Sequence, residues 1–104
     1  MELRDYQKRL SMDAATKLRM YGIVYLAMEV RTGKTLTALN TCELYGAKRV
    51  LFLTKKKAMK NIQWDYDQID FTFRLTVAND ESMHTVDGDF DLVIHDEHHR
   101  FAAY

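Results

Sequence analysis

The chain has no proline, one cysteine and no apolar run approaching the length of a membrane span. The missing proline, and the absence of any Ser/Gly-rich stretch, leave no candidate linker, and 104 residues suffice for one small domain and no more. The lone Cys42 excludes an internal disulfide and suits a reducing compartment, so a cytoplasmic location is expected. The N-terminus, MELRDYQKRL, is too charged for a signal peptide, and no segment reads as membrane-bound. Net charge is missing too: Lys plus Arg and Asp plus Glu both count 15. That excludes a generally basic nucleic-acid coat and confines any such contact to local patches. What is present is 47% hydrophobic residues, enough for a core and too many for disorder.

Along the chain, helical and strand patterns alternate. LRDYQKRLSMDAATKLRMYG reads as a helix with Tyr6, Leu10, Ala14 and Leu18 at a spacing of four and Gly22 as its stop. Ile23 to Met28 is a short apolar strand run. KTLTALNTCELYG reads as a helix stopped by Gly46. Arg49 to Thr54 is a buried-strand run. KKKAMKNIQWDYDQI reads as a helix with Met59, Ile62 and Tyr66 on one side. Phe73 to Ala78 alternates as a strand does, DESMHTV is a short helix or turn, and Phe90 to Glu97 is a strand ending in charge. This alternation predicts an α/β domain whose parallel sheet is covered on both faces.

Two stretches carry chemistry. AMEVRTGKTL, Ala27 to Leu36, ends in Gly-Lys-Thr, the closing half of the phosphate-binding pattern G-x-x-x-x-G-K-[ST], with Met28 where the pattern has its first glycine. A bare Gly-Lys-Thr can arise by chance at a solvated helix start. Here it follows a predicted strand and opens a predicted helix, whose first turn offers unpaired N–H groups and a positive dipole end to phosphate oxygens. Gly33 lets the backbone approach closely, Lys34 reaches β- and γ-phosphates, and the Thr35 hydroxyl can ligate Mg²⁺. The second stretch, DLVIHDEHHR, puts Asp96 and Glu97 at the C-terminal end of a strand, the edge where ligands bind in parallel α/β sheets. A carboxylate on the metal followed by one that orients water is the pairing ATP hydrolysis requires.

With both motifs in place, the chain resembles the superfamily 2 helicases and translocases, the DExH and Snf2-like ATPases. MEVRTGKT and DEHH are similar to their motifs I and II. LRDYQ resembles the N-terminal element whose glutamine recognises adenine, here Gln7. RVLFLTKKKAMKNIQWD resembles motif Ia, where residues after a strand touch the nucleic-acid backbone. VANDESMHTV, which includes Asn79, resembles motif Ib. In that family the loop often opens with a residue other than glycine, so Met28 is tolerated. Arg31 stands where many relatives have glycine, and either adds a phosphate contact or crowds the site. Loops of the E-x-R-T-G-K-T kind resemble phage-borne members, implying a bacterial or phage-infected host cell. The resemblance implies a P-loop NTPase, RecA-like fold over residues 1–104, with ATP and Mg²⁺ as cofactors. It assigns nucleotide binding to Gln7, Val30, Arg31, Thr32, Gly33, Lys34 and Thr35, and Mg²⁺ to Thr35 and Asp96. Lys34, Asp96 and Glu97 form the catalytic set, and His99 couples the ATP site to the nucleic-acid side.

Other features have competing readings. His95, Asp96, His98 and His99 are zinc-ligating types, but they do not match H-E-x-x-H and Cys42 is distant in sequence. Lys55, Lys56, Lys57 and Lys60 are either a solvated helix start or contacts to phosphates. Trp64, Tyr66 and Phe71 can stack bases but read better as core, and Met12, Met20, Met59 and Met83 read as packing. The family also builds its ATP site between two RecA-like domains. Motif III and motifs IV to VI have no counterpart here, and the motif III strand lies between the strands of motifs I and II. The expectation is therefore a partial first helicase domain lacking a central strand, with two apolar strand edges that pair directly or accept a strand from elsewhere. As an isolated chain it is expected to be inactive. Its expected partners are nucleic acid, DNA in preference to RNA, and a second RecA-like domain or a protein completing the site. The alternative is a standalone P-loop interaction module that modulates a partner ATPase or nucleic-acid-processing protein.

Overall fold

A computed structural model describes residues 3–25, 34–79, 88–95 and 100–103. Helix α1 spans Asp5–Tyr21. The Gln7 Oε1 accepts the Arg4 backbone N–H at 2.8 Å, satisfying a group just outside the first turn. Asp5 lies in that turn, where the helix dipole favours an acid. At the other end Gly22 takes φ of 75° and donates its N–H to the Leu18 carbonyl at 2.8 Å. A side chain there would be strained, so glycine ends the helix and turns the chain directly into β1, Ile23–Tyr25.

The predicted stripe on α1 is rotated. The buried residues are Gln7, Ser11, Ala14, Ala15 and Leu18; Leu10 is exposed and Tyr6 half-buried. A spacing of four drifts by about 40° per step around a helix of 3.6 residues per turn. A line through Ala14 and Leu18 therefore leaves Tyr6 and Leu10 off the packed side and brings in Gln7 and Ser11.

Helix α2, Lys34–Tyr45, is followed by β2, Arg49–Thr54. A 3₁₀ turn at Lys56–Ala58 leads into α3, Met59–Gln68, and then come β3, Arg74–Asn79, β4, Leu92–His95, and β5, Arg100–Ala103. The five strands form one sheet in the order β1-β5-β4-β2-β3. β2 is central among the parallel strands, pairing β3 on one side and β4 on the other, and is buried at every position after Arg49. That is why its sequence is an unbroken apolar run.

The sheet is mixed, not parallel. β5 lies between β1 and β4 and is antiparallel to both, with Phe101 opposite Val24 and Ile94. The central gap expected from the sequence is thus filled by the chain's own Arg100–Ala103 segment. Unpaired backbone in a sheet centre is costly, and β5 supplies both sets of partners.

The helices also differ from expectation. Ala14 and Leu18 of α1, Ala38, Leu39 and Cys42 of α2 and Ile62 of α3 share one core with Val24, Val50, Phe52, Leu92, Ile94 and Phe101. All these strand residues face the same side of the sheet. The opposite side carries Leu51, Leu53, Ala78 and Val93, with Phe90 against them, and no described helix contributes to it. Tyr66 and Phe71 pack on the main core as predicted and form, with Phe73, a cluster whose ring centroids lie 5.3–5.8 Å apart. Trp64 departs from prediction: it is 56% exposed. Its neighbours Ile62 and Tyr66 take the inward side of α3 and turn it to solvent. Met12 and Met20 are likewise exposed instead of packed, Met59 is half-buried, and Met83 lies outside the described residues. No helix among the described residues is long and apolar enough to cross a membrane.

Candidate functional site

β1 and β4 are each antiparallel to β5, so they run parallel to one another, and β2 and β3 run with β4. Four strands therefore finish on one sheet edge, at Tyr25, Thr54, Asn79 and His95. β5 starts from that edge, with Arg100 opposite both Tyr25 and His95. The segments leaving the edge are the candidate site, because strand ends position connecting residues on a rigid frame.

After β1, the chain next enters described structure at Lys34, the first residue of α2. Lys34 and Thr35 occupy the first helical turn and are half-buried. That turn is where backbone N–H groups lack intrahelical acceptors. A lysine ammonium and a threonine hydroxyl there suit a phosphate chain and a hard cation held by oxygen. Val30, Arg31, Thr32 and Gly33 lie outside the described residues, as do Asp96, Glu97, His98 and His99, which join β4 to β5. Of the residues considered for zinc, His95 alone is described, half-buried at the end of β4. Among the described residues no group of three or more His, Cys, Asp and Glu side chains could hold a metal ion.

The stem of α2 is anchored to α1. The Ser11 Oγ–H lies 2.7 Å from the Gln7 carbonyl and 3.1 Å from the Thr37 carbonyl, and the Thr41 hydroxyl donates to the same Thr37 oxygen at 2.8 Å. A hydroxyl has one proton, so Ser11 shares it between two helices, while the Thr37 carbonyl gathers both the Ser11 and Thr41 hydroxyls. Arg19 Nη2 also donates to the Leu44 carbonyl near the other end of α2. The first turn of α2 thus starts from a fixed base. Sequence reading missed this, because it followed large apolar residues on α1. The run Ser11, Ala14, Ala15 was the available signal for close helix approach.

Gln7 is 4% exposed, on the α1 side that packs against α2. Its Oε1 accepts the Arg4 backbone N–H. Asn79 is half-buried at the end of β3, opposite Thr54 of β2. Lys55, Lys56 and Lys57 follow Thr54 and are exposed, as is Lys60. The lysine cluster therefore begins at the same edge as α2.

Two further polar groups serve the frame. Asp91 Oδ2 accepts the backbone N–H groups of Lys48 at 2.7 Å and Arg49 at 3.1 Å, and Asp91 returns its own N–H to the Arg49 carbonyl. Those two bonds hold its carboxyl below the usual aspartate range. Glu43 accepts the Thr72 N–H and hydroxyl, tying α2 to the approach to β3. Cys42 is fully buried, and desolvation pushes its thiol far above the ordinary cysteine range, which removes it as a nucleophile. No family model, curated protein or solved structure matches the chain.

Proposed function

We propose that this chain is the ATP-binding part of a superfamily 2 helicase or translocase, with a P-loop, RecA-like architecture. Lys34 holds the β- and γ-phosphates, Thr35 and Asp96 carry Mg²⁺, Glu97 orients the attacking water, and Gln7 reads adenine. Arg31, Val30, Thr32 and Gly33 line the phosphate loop, and His99 connects it to nucleic acid. The observation that carries this reading is the shared edge: β1, followed by the helix that opens at Lys34, runs parallel to β4, which Asp96 and Glu97 follow. ATP hydrolysis needs phosphate, metal and water ligands to converge, and ligation from two strands ending on one edge meets that need.

The test is a nucleotide titration with and without Mg²⁺. The native chain is expected to bind ATP or ADP modestly and more tightly with Mg²⁺. Lys34→Ala is expected to abolish most of that binding, and coincident curves for the two proteins would reject the site. A second reading, a P-loop module that regulates a partner ATPase, is favoured by β5. The chain fills the slot between β1 and β4 itself, so the sheet does not wait for a strand from another domain. Nucleotide binding without turnover, retained when a partner ATPase is inhibited or stimulated, distinguishes the module from the motor.

A further inference from the structure

We infer that the outer edge of β1 is the contact surface for a second copy of this chain, whose own β1 pairs with it antiparallel about Val24 and carries the sheet from one subunit into the other. Among the described strands β1 pairs only with β5, so its other side presents backbone N–H and C=O groups at the border of the sheet. Such a border invites another strand, and natural sheets guard it with lysine, proline or charge. β3, the opposite border strand, opens with the exposed Arg74. β1 has no such guard: from Met20 to Met28 the chain carries no charged residue and no proline. Ile23 and Tyr25 are 38% and 64% exposed, while Val24 between them is buried in the core.

One flank of α1 continues the surface. Arg19 and the hollow lined by Met12, Ala15, Thr16 and Leu44 put α2 against the opposite flank. Leu10 and Tyr21 stand roughly 160° around the helix from Met12 and Arg19, on the flank turned away from α2, and both are exposed. Asp13 and Lys17 on that side pair with each other at 3.0 Å, so neither meets an approaching copy as a lone charge. The occupant must therefore supply backbone groups, apolar side chains and little charge, and a second β1 supplies all three. A two-fold axis through Val24 sets Ile23 of each copy directly opposite Tyr25 of the other, and an aromatic ring across from a β-branched residue is a favourable cross-strand pair. The pleat keeps Val24 of both copies on the helix side and the two Ile23–Tyr25 pairs on the other. The footprint is three strand residues and one flank of a helix about 25 Å long, which puts the dimer at the weak end of specific interfaces. It uses none of the residues assigned to nucleotide.

The experiment is sedimentation equilibrium of the whole chain over a dilution series. Apparent mass is expected to rise with concentration from 12.2 kDa toward twice that value and no further. Ile23→Lys with Tyr25→Lys should weaken dimerisation about tenfold or more, by setting like charges opposite each other at both pairs. Ile23→Lys with Tyr25→Glu in one chain should restore it, because the two-fold axis then sets opposite charges across each pair. Both positions are exposed, so circular dichroism should show each variant folded. A chain that stays at 12.2 kDa at every concentration, or a dimer that the two lysines leave unchanged, would overturn the interface. Mass growing beyond the dimer would overturn it too, since that marks a head-to-tail contact that does not close. If the lysine–glutamate variant dimerises no better than the double-lysine one, the register about Val24 is wrong. Lys34→Ala should dimerise as the native chain does, so failure of the nucleotide site and failure of this edge read out separately.

Discussion

Phe101 is the residue on which the placement of β5 can be tested. Its side chain is 1% exposed, and its backbone lies opposite Val24 on β1 and Ile94 on β4. It belongs to the same core as Leu18 of α1, Phe52 of β2 and Leu92 of β4. Truncating a buried phenylalanine to alanine removes its transfer free energy and leaves a cavity, together about 3–5 kcal/mol. A domain of this size is stable by about 5–15 kcal/mol in total, so the loss is a large share of it. With a urea dependence of roughly 1.5 kcal/mol per molar, the midpoint should fall by about 2–3 M. Phe101→Leu keeps most of the volume and should cost about 1–2 kcal/mol, which preserves a measurable transition if the alanine variant does not fold. Tyr25 is the control: it ends β1, in register with Arg100, yet is 64% exposed. Tyr25→Ala should change stability by only about 0.5 kcal/mol. Urea unfolding followed by far-ultraviolet circular dichroism compares the three. If Phe101→Ala moves the midpoint no more than Tyr25→Ala does, β5 is not the central strand described above, and the spacing between β1 and β4 must be reconsidered.

Two other outcomes follow from groups in the frame. Because the folded state lowers the Asp91 carboxyl through the Lys48 and Arg49 N–H groups, its contribution is present above its unfolded value of 3.8 and is lost as pH falls through the lower folded value. Asp91→Asn should therefore be less stable than the native chain at neutral pH, and the gap should close in acid; a gap independent of pH in urea melts would show that the charge plays no part. Cys42, buried and held neutral, should react with a thiol reagent only when the domain opens, so its labelling rate should rise steeply with urea in parallel with unfolding. Fast labelling under native conditions would contradict its burial.

Where local pattern decides structure, the sequence was readable. β2 matches the predicted Arg49 to Thr54: it is paired on both edges and buried from Val50 onward, and Val50 to Leu53 are apolar. α2 ends at Tyr45 and Gly46 follows with φ of 90°, as a glycine stop implies. Ile62 was correctly placed inside α3. Errors began where a side chain's fate depends on a distant neighbour. Trp64 carries the largest apolar side chain on α3, and composition alone assigns it to the core. Its angular position, opposite the inward Ile62 and Tyr66, turns it outward. Ser11 shows the converse, a polar residue drawn inside because the Thr37 carbonyl of another helix accepts its proton.

β5 is the deepest case of that dependence, and it bears on the candidate site. Arg-Phe-Ala-Ala is too short and too weakly patterned to announce a strand. It becomes one because β1 and β4 present pairing edges on both sides. Strands in a sheet lie about 4.8 Å apart, so inserting one strand sets the ends of β1 and β4 roughly 10 Å apart. β5 runs against both neighbours and begins at the edge where they end, with Arg100 opposite His95 and Tyr25. In sequence, Asp96, Glu97, His98 and His99 form the four-residue link between β4 and β5, which pair with each other. The ends of that link are paired to each other, and Arg100 is paired in turn to Tyr25, the last residue of β1. A change in how β5 seats in the sheet would therefore reach both sides of the proposed nucleotide site at once, through backbone pairing alone.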